Sequence, residues 1–279
     1  MNECYGKKFI LNGDLIPEYQ FDNSLVYSGQ SVYEVIRMVK GSPVFFHDHM
    51  ERLAISTRLI RKKMITDEET LRRDIIRLSK TERRKEVNLK IVFNYNRDSL
   101  NYLVYFIEPI YPDDEQYRNG VKGILYYAER DDPSSKVINH MLRSSIWQKL
   151  ILEGAYEALL VNSEGQVTEG SRSNIFFLKG KELTTAPGEI ILNGITRKHI
   201  LEICRENGIT VFQECVAADK IAGYDAVFMT GTSPVVLPFC CIDDITFRVD
   251  FPIIRQLRNL YIRRAEESID LFRNIKGKR

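Results

Sequence analysis

In the first hundred residues short apolar runs bounded by turn residues read as strands, and two stretches carry apolar positions at a period of about 3.6. Phe9-Ile10-Leu11 and Leu15-Ile16 flank Asn12-Gly13. That pair tolerates φ > 0 at both positions, so residues 7–16 predict a tight hairpin. From Ser31 to Val39 the alternation places Val32, Glu34, Ile36 and Met38 on one strand face and Tyr33, Val35, Arg37 and Val39 on the other. Lys40-Gly41-Ser42-Pro43 then turns the chain into Val44-Phe45-Phe46. A helix is predicted over 48–61, burying Met50, Leu53, Ala54 and Leu59 or Ile60. A second should start at Thr66, whose hydroxyl pairs with Glu69 as a capping box ahead of Leu71, Ile75 and Leu78. Strands near 89–94 and 102–107 follow, parted by the polar turn Asn96-Arg97-Asp98-Ser99.

The segment 111–120 is polar, holds a Pro and ends in Gly, as a linker does. It divides a small N-terminal α+β domain, 1–110, from a larger C-terminal domain, 121–279. Strands are predicted there at 121–128, 156–161, 173–178 and 225–229. Helices are predicted at 144–153, stopped by Gly154, at 195–206, stopped by Gly208, and at 252–272. Strands and helices come in blocks and do not alternate strictly, so the fold class is α+β.

Composition narrows the function. Among 279 residues, 40 Lys and Arg nearly balance 38 Asp and Glu, and the formal net charge is +2. A nucleic-acid binder carries a strongly basic domain or stripe, so none is expected as a partner. No apolar run exceeds six residues, against the ~20 that span a bilayer, so no membrane partner is expected either. The first eight residues lack the apolar stretch of a signal peptide. Five cysteines without CxxC spacing argue against a disulfide framework and a zinc ribbon, and adjacent Cys240-Cys241 suits a structural disulfide poorly. A reducing, cytoplasmic setting fits best.

Four local patterns could carry chemistry. Lys136, in Asp131-Asp132-Pro133-Ser134-Ser135-Lys136-Val137, is by itself a solvated loop charge; it becomes a nucleophile or base only where its surroundings depress its pKa. Glu169 stands among Thr168, Gly170, Ser171 and Ser173, small hydrogen-bonding residues that lead into the apolar run Ile175-Phe176. That stretch reads either as a polar turn or as the mount of an aimed carboxylate. Leu192-Asn193-Gly194-Ile195-Thr196-Arg197 opens a helix, where free N–H groups and the dipole attract phosphate, though an ordinary capped helix reads the same way. Gly231-Thr232-Ser233 after Met229-Thr230 either cradles an anion or merely turns the chain. His47 and His49 lack the further ligands of a metal centre, and no metal is expected.

Taken in order, these patterns resemble one family. Val32-Tyr33-Glu34-Val35-Ile36-Arg37, His49-Met50-Glu51-Arg52-Leu53, and Gly154 through Asn162 come first. Thr168-Glu169-Gly170-Ser171, Ser173-Asn174-Ile175-Phe176, Gly194-Ile195-Thr196-Arg197 and Gly231-Thr232 complete the set. Together they resemble the fold-type IV pyridoxal 5'-phosphate enzymes: branched-chain aminotransferases, D-amino-acid aminotransferases and aminodeoxychorismate lyases. The likeness spans residues 5–245.

The resemblance implies a two-domain α+β enzyme, a cytoplasmic homodimer with its active site between the domains. In the family the Schiff-base lysine lies eighteen positions before the Gly of the Gly-x-x-Glu-Ala strand; counted back from Gly154, that is Lys136. Arg52 corresponds to the arginine on the cofactor phosphate, joined by Ile195, Thr196 and Thr232. Glu169 corresponds to the carboxylate at the pyridine nitrogen, and Leu192 to an apolar residue on the cofactor face. Tyr33 and Arg37 would line the substrate side. The implied reaction is amino transfer between a small amino acid and a 2-oxo acid. The alternative is aminodeoxychorismate lyase chemistry, which releases pyruvate and 4-aminobenzoate. Met141 stands where branched-chain enzymes usually place a Tyr, and the segment 93–97 lacks an Arg-bearing pattern used on substrate carboxylates. The substrate therefore stays open at this point.

Overall fold

The structure, a computed structural model, describes residues 3–97, 99–130 and 133–274. Asp98 of the predicted turn, and Asp131 and Asp132 ahead of Lys136, lie outside the described residues. The chain forms two compact units. The first comprises Met1–Ile110, Ser135–Ile138 and Arg264–Arg279, the second Tyr111–Ser134 and Asn139–Arg263.

In the first unit, β1 (Lys8–Leu11) and β2 (Asp14–Pro17) form the predicted hairpin. Asn12 and Gly13 turn it with φ of 52° and 91°, the left-handed values that such a turn requires. Then come α1 (Ser24–Tyr27), β3 (Gln30–Val39), β4 (Ser42–Pro43), α2 (Phe46–Leu59), α3 (Glu68–Glu82), β5 (Val87–Tyr95) and β6 (Leu100–Ile107). Among the described residues the strands make one antiparallel sheet in the order β2-β1-β6-β5-β3-β4. Val32, Ile36, Leu89, Ile91 and Phe93 form a core with Met50 and Leu53 of α2 and Leu71, Ile75 and Leu78 of α3. A second core gathers Phe9, Val26, Val92, Leu103 and Tyr105, with Tyr33 and Ile138 packed against it. With cores on both faces, β5 is buried along its whole length and carries Lys90 inside.

Two helix expectations are corrected. Helix α2 starts and ends two residues earlier than predicted; of the two alternatives Leu59 is exposed and Ile60, just past the helix, packs half-buried against the core, while Ala54 is only half-buried. Helix α3 is capped by Asp67 rather than Thr66. The Asp67 carboxylate accepts the Thr70 N–H at 2.7 Å, and its charge also suits the positive end of the helix.

The second unit opens with α4 (Asp114–Asn119), which occupies the segment predicted as a linker. Asp113 and Gln116 cap it reciprocally. It continues through β7 (Val121–Tyr127), α5 (His140–Glu153), β8 (Glu157–Val161), β9 (Gln166–Gly170), β10 (Asn174–Lys179) and β11 (Glu182–Thr185). Next are α6 (Ile195–Glu206), β12 (Val211–Gln213), β13 (Val216–Ala217), β14 (Ala226–Gly231), β15 (Val235–Ile242), β16 (Ile245–Thr246) and α7 (Pro252–Asn274), whose last residues, from Arg264, count with the first unit. The described strands of this unit form a mixed sheet in the order β12-β11-β10-β14-β15-β7-β8-β9-β13, with β16 added beside β15. Helices α5 and α6 end where Gly154 and Gly208 were read as stops, both with positive φ. The residues around Glu169, read as a possible turn, are strand β9 up to Gly170. No helix among the described residues is long and apolar enough to cross a membrane.

Candidate active site

The first unit contributes a lysine, an arginine and the residues that fix them. Residues 136–138 lie along β3 as an added edge. The Tyr33 N–H donates to the Lys136 carbonyl at 3.1 Å, Ile138 N–H donates to the Ser31 carbonyl at 3.1 Å, and Val137 bridges Val32. The Lys136 N–H donates to Ser56 Oγ of α2, also at 3.1 Å. The backbone of Lys136 is thus tied to a strand and a helix, although by sequence alone it reads as a loop residue. Its Nζ lies 4.8 Å from the centroid of the Tyr33 ring. Arg37 stands four residues along β3, half-buried on the same face as Tyr33.

Arg52 lies on α2, nearly buried, and its guanidinium grips Glu34 of β3. Nε donates to Oε1 at 2.8 Å and Nη2 to Oε2 at 2.6 Å. His49 completes the cluster, its Nδ1 lying 2.7 Å from Glu34 Oε2. Burial alone would raise the Glu34 pKa, but Arg52 and then His49 outweigh it and bring it from 4.5 down to about 2. For His49, burial dominates and lowers the pKa despite Glu34. An ionised Glu34 only accepts, so the neutral imidazole carries its proton on Nδ1.

The second unit holds a carboxylate and a helix end. Glu169, buried near the end of β9, accepts the Leu192 N–H at 3.2 Å through Oε2 and Arg130 Nη1 at 3.3 Å through Oε1. Asn174, the first residue of β10, donates from Nδ2 to the Leu192 carbonyl at 2.9 Å, so both polar backbone atoms of Leu192 are fixed. Two residues on, Gly194 opens α6 and no side chain caps it. A Cβ on Gly194 would stand 2.1 Å from Asn174 Oδ1, so the loop approaches β10 this closely only with glycine. Ile195 and Thr196 form the first turn and are buried; the Thr196 hydroxyl lies 3.2 Å from that of Tyr261. Thr232 follows β14, in the connection that reaches β15 through Val235 at φ 57°. A left-handed conformation is costly for a β-branched residue, so this tight connection is held under strain.

The structure therefore gathers Lys136, Tyr33, Arg37 and Arg52 in one unit and Glu169, Leu192, Ile195, Thr196 and Thr232 in the other. Sequence reasoning missed Glu34, His49, Asn174 and Arg130. Glu34 had left a signal, as the one charged side chain on the otherwise apolar face Val32-Ile36-Met38. His47 pairs at the surface with Glu68 at 3.1 Å, and no cluster among the described residues is arranged to hold a metal ion.

Comparison with known proteins gives the family and the fold. Residues 31–242 match the class IV amino-transferase family. The chain is 30% identical over 233 residues to a D-alanine aminotransferase of Bacillus licheniformis, covering 78% of this chain and 81% of that protein. It is also 30% identical over 286 residues to a probable branched-chain-amino-acid aminotransferase of Rickettsia felis, covering 92% and 95%. Its fold is similar to that of the crystallised branched-chain aminotransferase of Thermoproteus uzoniensis, with TM-score 0.83, 23% identity and 96% and 97% of the two chains covered.

Proposed function

The chain belongs to the class IV aminotransferases, and from that premise we propose that it moves an amino group from a small amino acid to a 2-oxo acid with pyridoxal 5'-phosphate as cofactor. The residues present fit that group. A twelve-residue helix begins on an uncapped glycine, and such an end offers N–H donors and a positive dipole to a phosphate. Glu169 is a buried carboxylate fixed from both oxygens, the partner that a protonated ring nitrogen needs. Lys136 supplies a primary amine on a backbone tied at both ends.

When bound, the cofactor supplies an electron sink for the pair left as the substrate Cα–H bond breaks. The chain's own residues do the rest. In the first unit Arg52, its guanidinium held by Glu34 and His49, would serve a phosphate, and in the second the backbone and hydroxyl donors of Ile195, Thr196 and Thr232 would do the same. Glu169 keeps a proton on the ring nitrogen. Leu192 would offer its apolar side chain to the ring. Lys136 would hold the cofactor through its amine, and that amine in its neutral form would take the proton from the substrate Cα. Tyr33 and Arg37 face the substrate, where a guanidinium and a phenol suit a carboxylate.

The observation that carries this reading is the double tether of Lys136, which fixes a loop lysine beside Tyr33 on β3. The test is a half-reaction. An amino donor alone should bleach the visible absorption of the loaded protein, and a 2-oxo acid should restore it. Pyruvate release from aminodeoxychorismate, with the band recovering unaided, would instead assign the lyase reaction.

A homodimer is part of the same reading. Met141, Ile151 and Leu152 of α5 are mostly exposed and Trp147 half so, an apolar surface of the kind that a second subunit covers. Equilibrium sedimentation tests it; a monomer at micromolar concentration would refute it. A cytoplasmic setting is part of the same reading.

A further inference from the structure

The connection between β14 and β15 carries Thr232, and its own residues do not favour its geometry. Gly231 pairs with Val235 across the hairpin, so Thr232, Ser233 and Pro234 make the turn. Pro234 has no N–H, so a four-residue turn from Gly231 cannot close with its usual hydrogen bond. Val235, buried and β-branched, then takes φ 57°, a value that suits glycine or asparagine. Such a turn has to be held from outside. Tyr117 of α4 holds it. Its hydroxyl donates to the Pro234 carbonyl at 2.9 Å, which fixes the peptide plane that leads into Val235. Its ring packs against the core that contains Val121, Leu237 and Phe239. Over the ring lies the Arg258 guanidinium of α7, 3.4 Å from the centroid. Arg258 Nε is buried and makes no hydrogen bond among the described residues, so the ring is what answers that part of the cation.

Helix α4 occupies the stretch that reads as a linker, and the reaction assigned above makes no use of it. We propose that Tyr117, covered by Arg258, is a positioning residue for the cofactor phosphate: it holds the strained turn so that the Thr232 hydroxyl keeps its place. This rests on Thr232 serving the phosphate as proposed above. Without the phenolic hydroxyl the Pro234 carbonyl is released on this side. Val235 then relaxes away from its left-handed conformation, and the strain stored there drives the change. Thr232 moves with the two residues that join it to Val235. A phosphate that binds such a loosened turn must first order it, and that cost comes out of its affinity. Tyr117 therefore contributes to phosphate binding without touching the phosphate.

The test compares pyridoxal 5'-phosphate with pyridoxal, the same aldehyde without its phosphate, in spectrophotometric titrations of the full chain. The unaltered protein should bind the phosphorylated form more tightly. Tyr117→Phe keeps the ring and its Arg258 cover and removes only the hydroxyl. It should weaken pyridoxal 5'-phosphate about fivefold and leave pyridoxal unchanged. Thr232→Val should do likewise, and Tyr117→Phe added to it should cost nothing more. Unchanged affinity for pyridoxal 5'-phosphate in a folded Tyr117→Phe, equal losses for the two ligands, or losses that add in the double variant overturn the proposal. If Tyr117→Phe does not fold, Arg258→Leu carries the test. It leaves the hydroxyl but uncovers the ring, and should weaken pyridoxal 5'-phosphate alone by about twofold; no loss overturns the proposal. If the unaltered protein binds the two ligands equally, the phosphate site assigned above falls and the positioning role falls with it. Phosphate-dependent binding that Tyr117→Phe leaves untouched removes the positioning role alone.

Discussion

Glu34 and Arg52 meet in the first unit through two short, buried hydrogen bonds, 2.8 and 2.6 Å long, and this pair links the strand that carries Tyr33 to the helix that carries the phosphate-binding candidate. Breaking such a pair from one side leaves an uncompensated buried charge, which typically costs about 3–5 kcal/mol. Arg52→Ala is therefore expected to do two separable things. It should weaken cofactor binding by about 10- to 100-fold, the worth of a charge-assisted hydrogen bond to phosphate. It should also lower stability by leaving Glu34 unpaired. The double variant Glu34→Gln/Arg52→Ala should recover much of the stability and none of the affinity. Recovery of cofactor affinity in the double variant, measured by fluorescence titration, would show that the phosphate sits elsewhere.

The same pair makes stability depend on acid. The Glu34 pKa falls on folding, from 4.5 to about 2, so its contribution is fully present above 4.5 and is lost as pH drops towards 2. The loss is on the order of 3 kcal/mol. In Glu34→Gln that loss should be missing: the variant should be less stable than the parent at pH 7, and the gap should narrow by pH 3. Urea unfolding followed by circular dichroism at both pH values measures it, and a gap that stays constant would count against an ionised Glu34.

Reduction of the loaded enzyme with borohydride should fix the cofactor to Lys136. Lys122 and Lys149 are the nearby candidates in sequence, but both are engaged with Glu153, at 2.8 Å to its carbonyl and 2.8 Å to its carboxylate respectively. Peptide mapping decides the matter; a modified Lys122 or Lys149 would overturn the assignment. Lys136→Ala should lose turnover by orders of magnitude, since it removes both anchor and base.

Glu169→Ala should slow kcat far more than it weakens cofactor binding, because its main task is to keep the ring nitrogen protonated. The structure adds a second consequence. The variant also frees the Leu192 N–H, so the start of α6 loosens and some phosphate affinity is lost. A kcat equal to that of the parent would refute the first role, and an unchanged cofactor affinity the second.

Gly194→Ala tests the approach of the loop to β10. Its Cβ would meet Asn174 Oδ1 at 2.1 Å, and Asn174 cannot swing away without releasing the Leu192 carbonyl. The backbone at Gly194 is ordinary for alanine, with φ −63°, so only the contact matters. Overpacking of this kind typically costs about 1–3 kcal/mol and should weaken cofactor binding with it. A variant as stable as the parent, with the same affinity, would show that Asn174 has room to move.

Local pattern was enough for the elements whose causes are local. Asn12-Gly13 forms its hairpin because two left-handed positions suit a tight turn, and α6 spans the predicted 195–206 because its apolar stripe and Gly208 bound it. The alternation at β3 likewise put Glu34 on the α2 side and Tyr33 on the other. The resemblance then named Lys136, Arg52, Glu169 and the start of α6 as a set, without saying what holds each one. That was decided by contacts distant in sequence. Ser56 and Lys136 are eighty residues apart, and Glu3 and Lys90 eighty-seven. No period or spacing encodes such pairs, because a hydrogen bond between remote segments exists only once β5 has been sandwiched and the chain from 135 to 138 laid along β3. The sequence by itself determined which residues could do the chemistry. Tertiary structure decided which charges are buried, what neutralises them, and that a glutamate near the start of the chain answers a lysine in the middle of a sheet, since burial is what turns an ordinary surface charge into one that must have a partner.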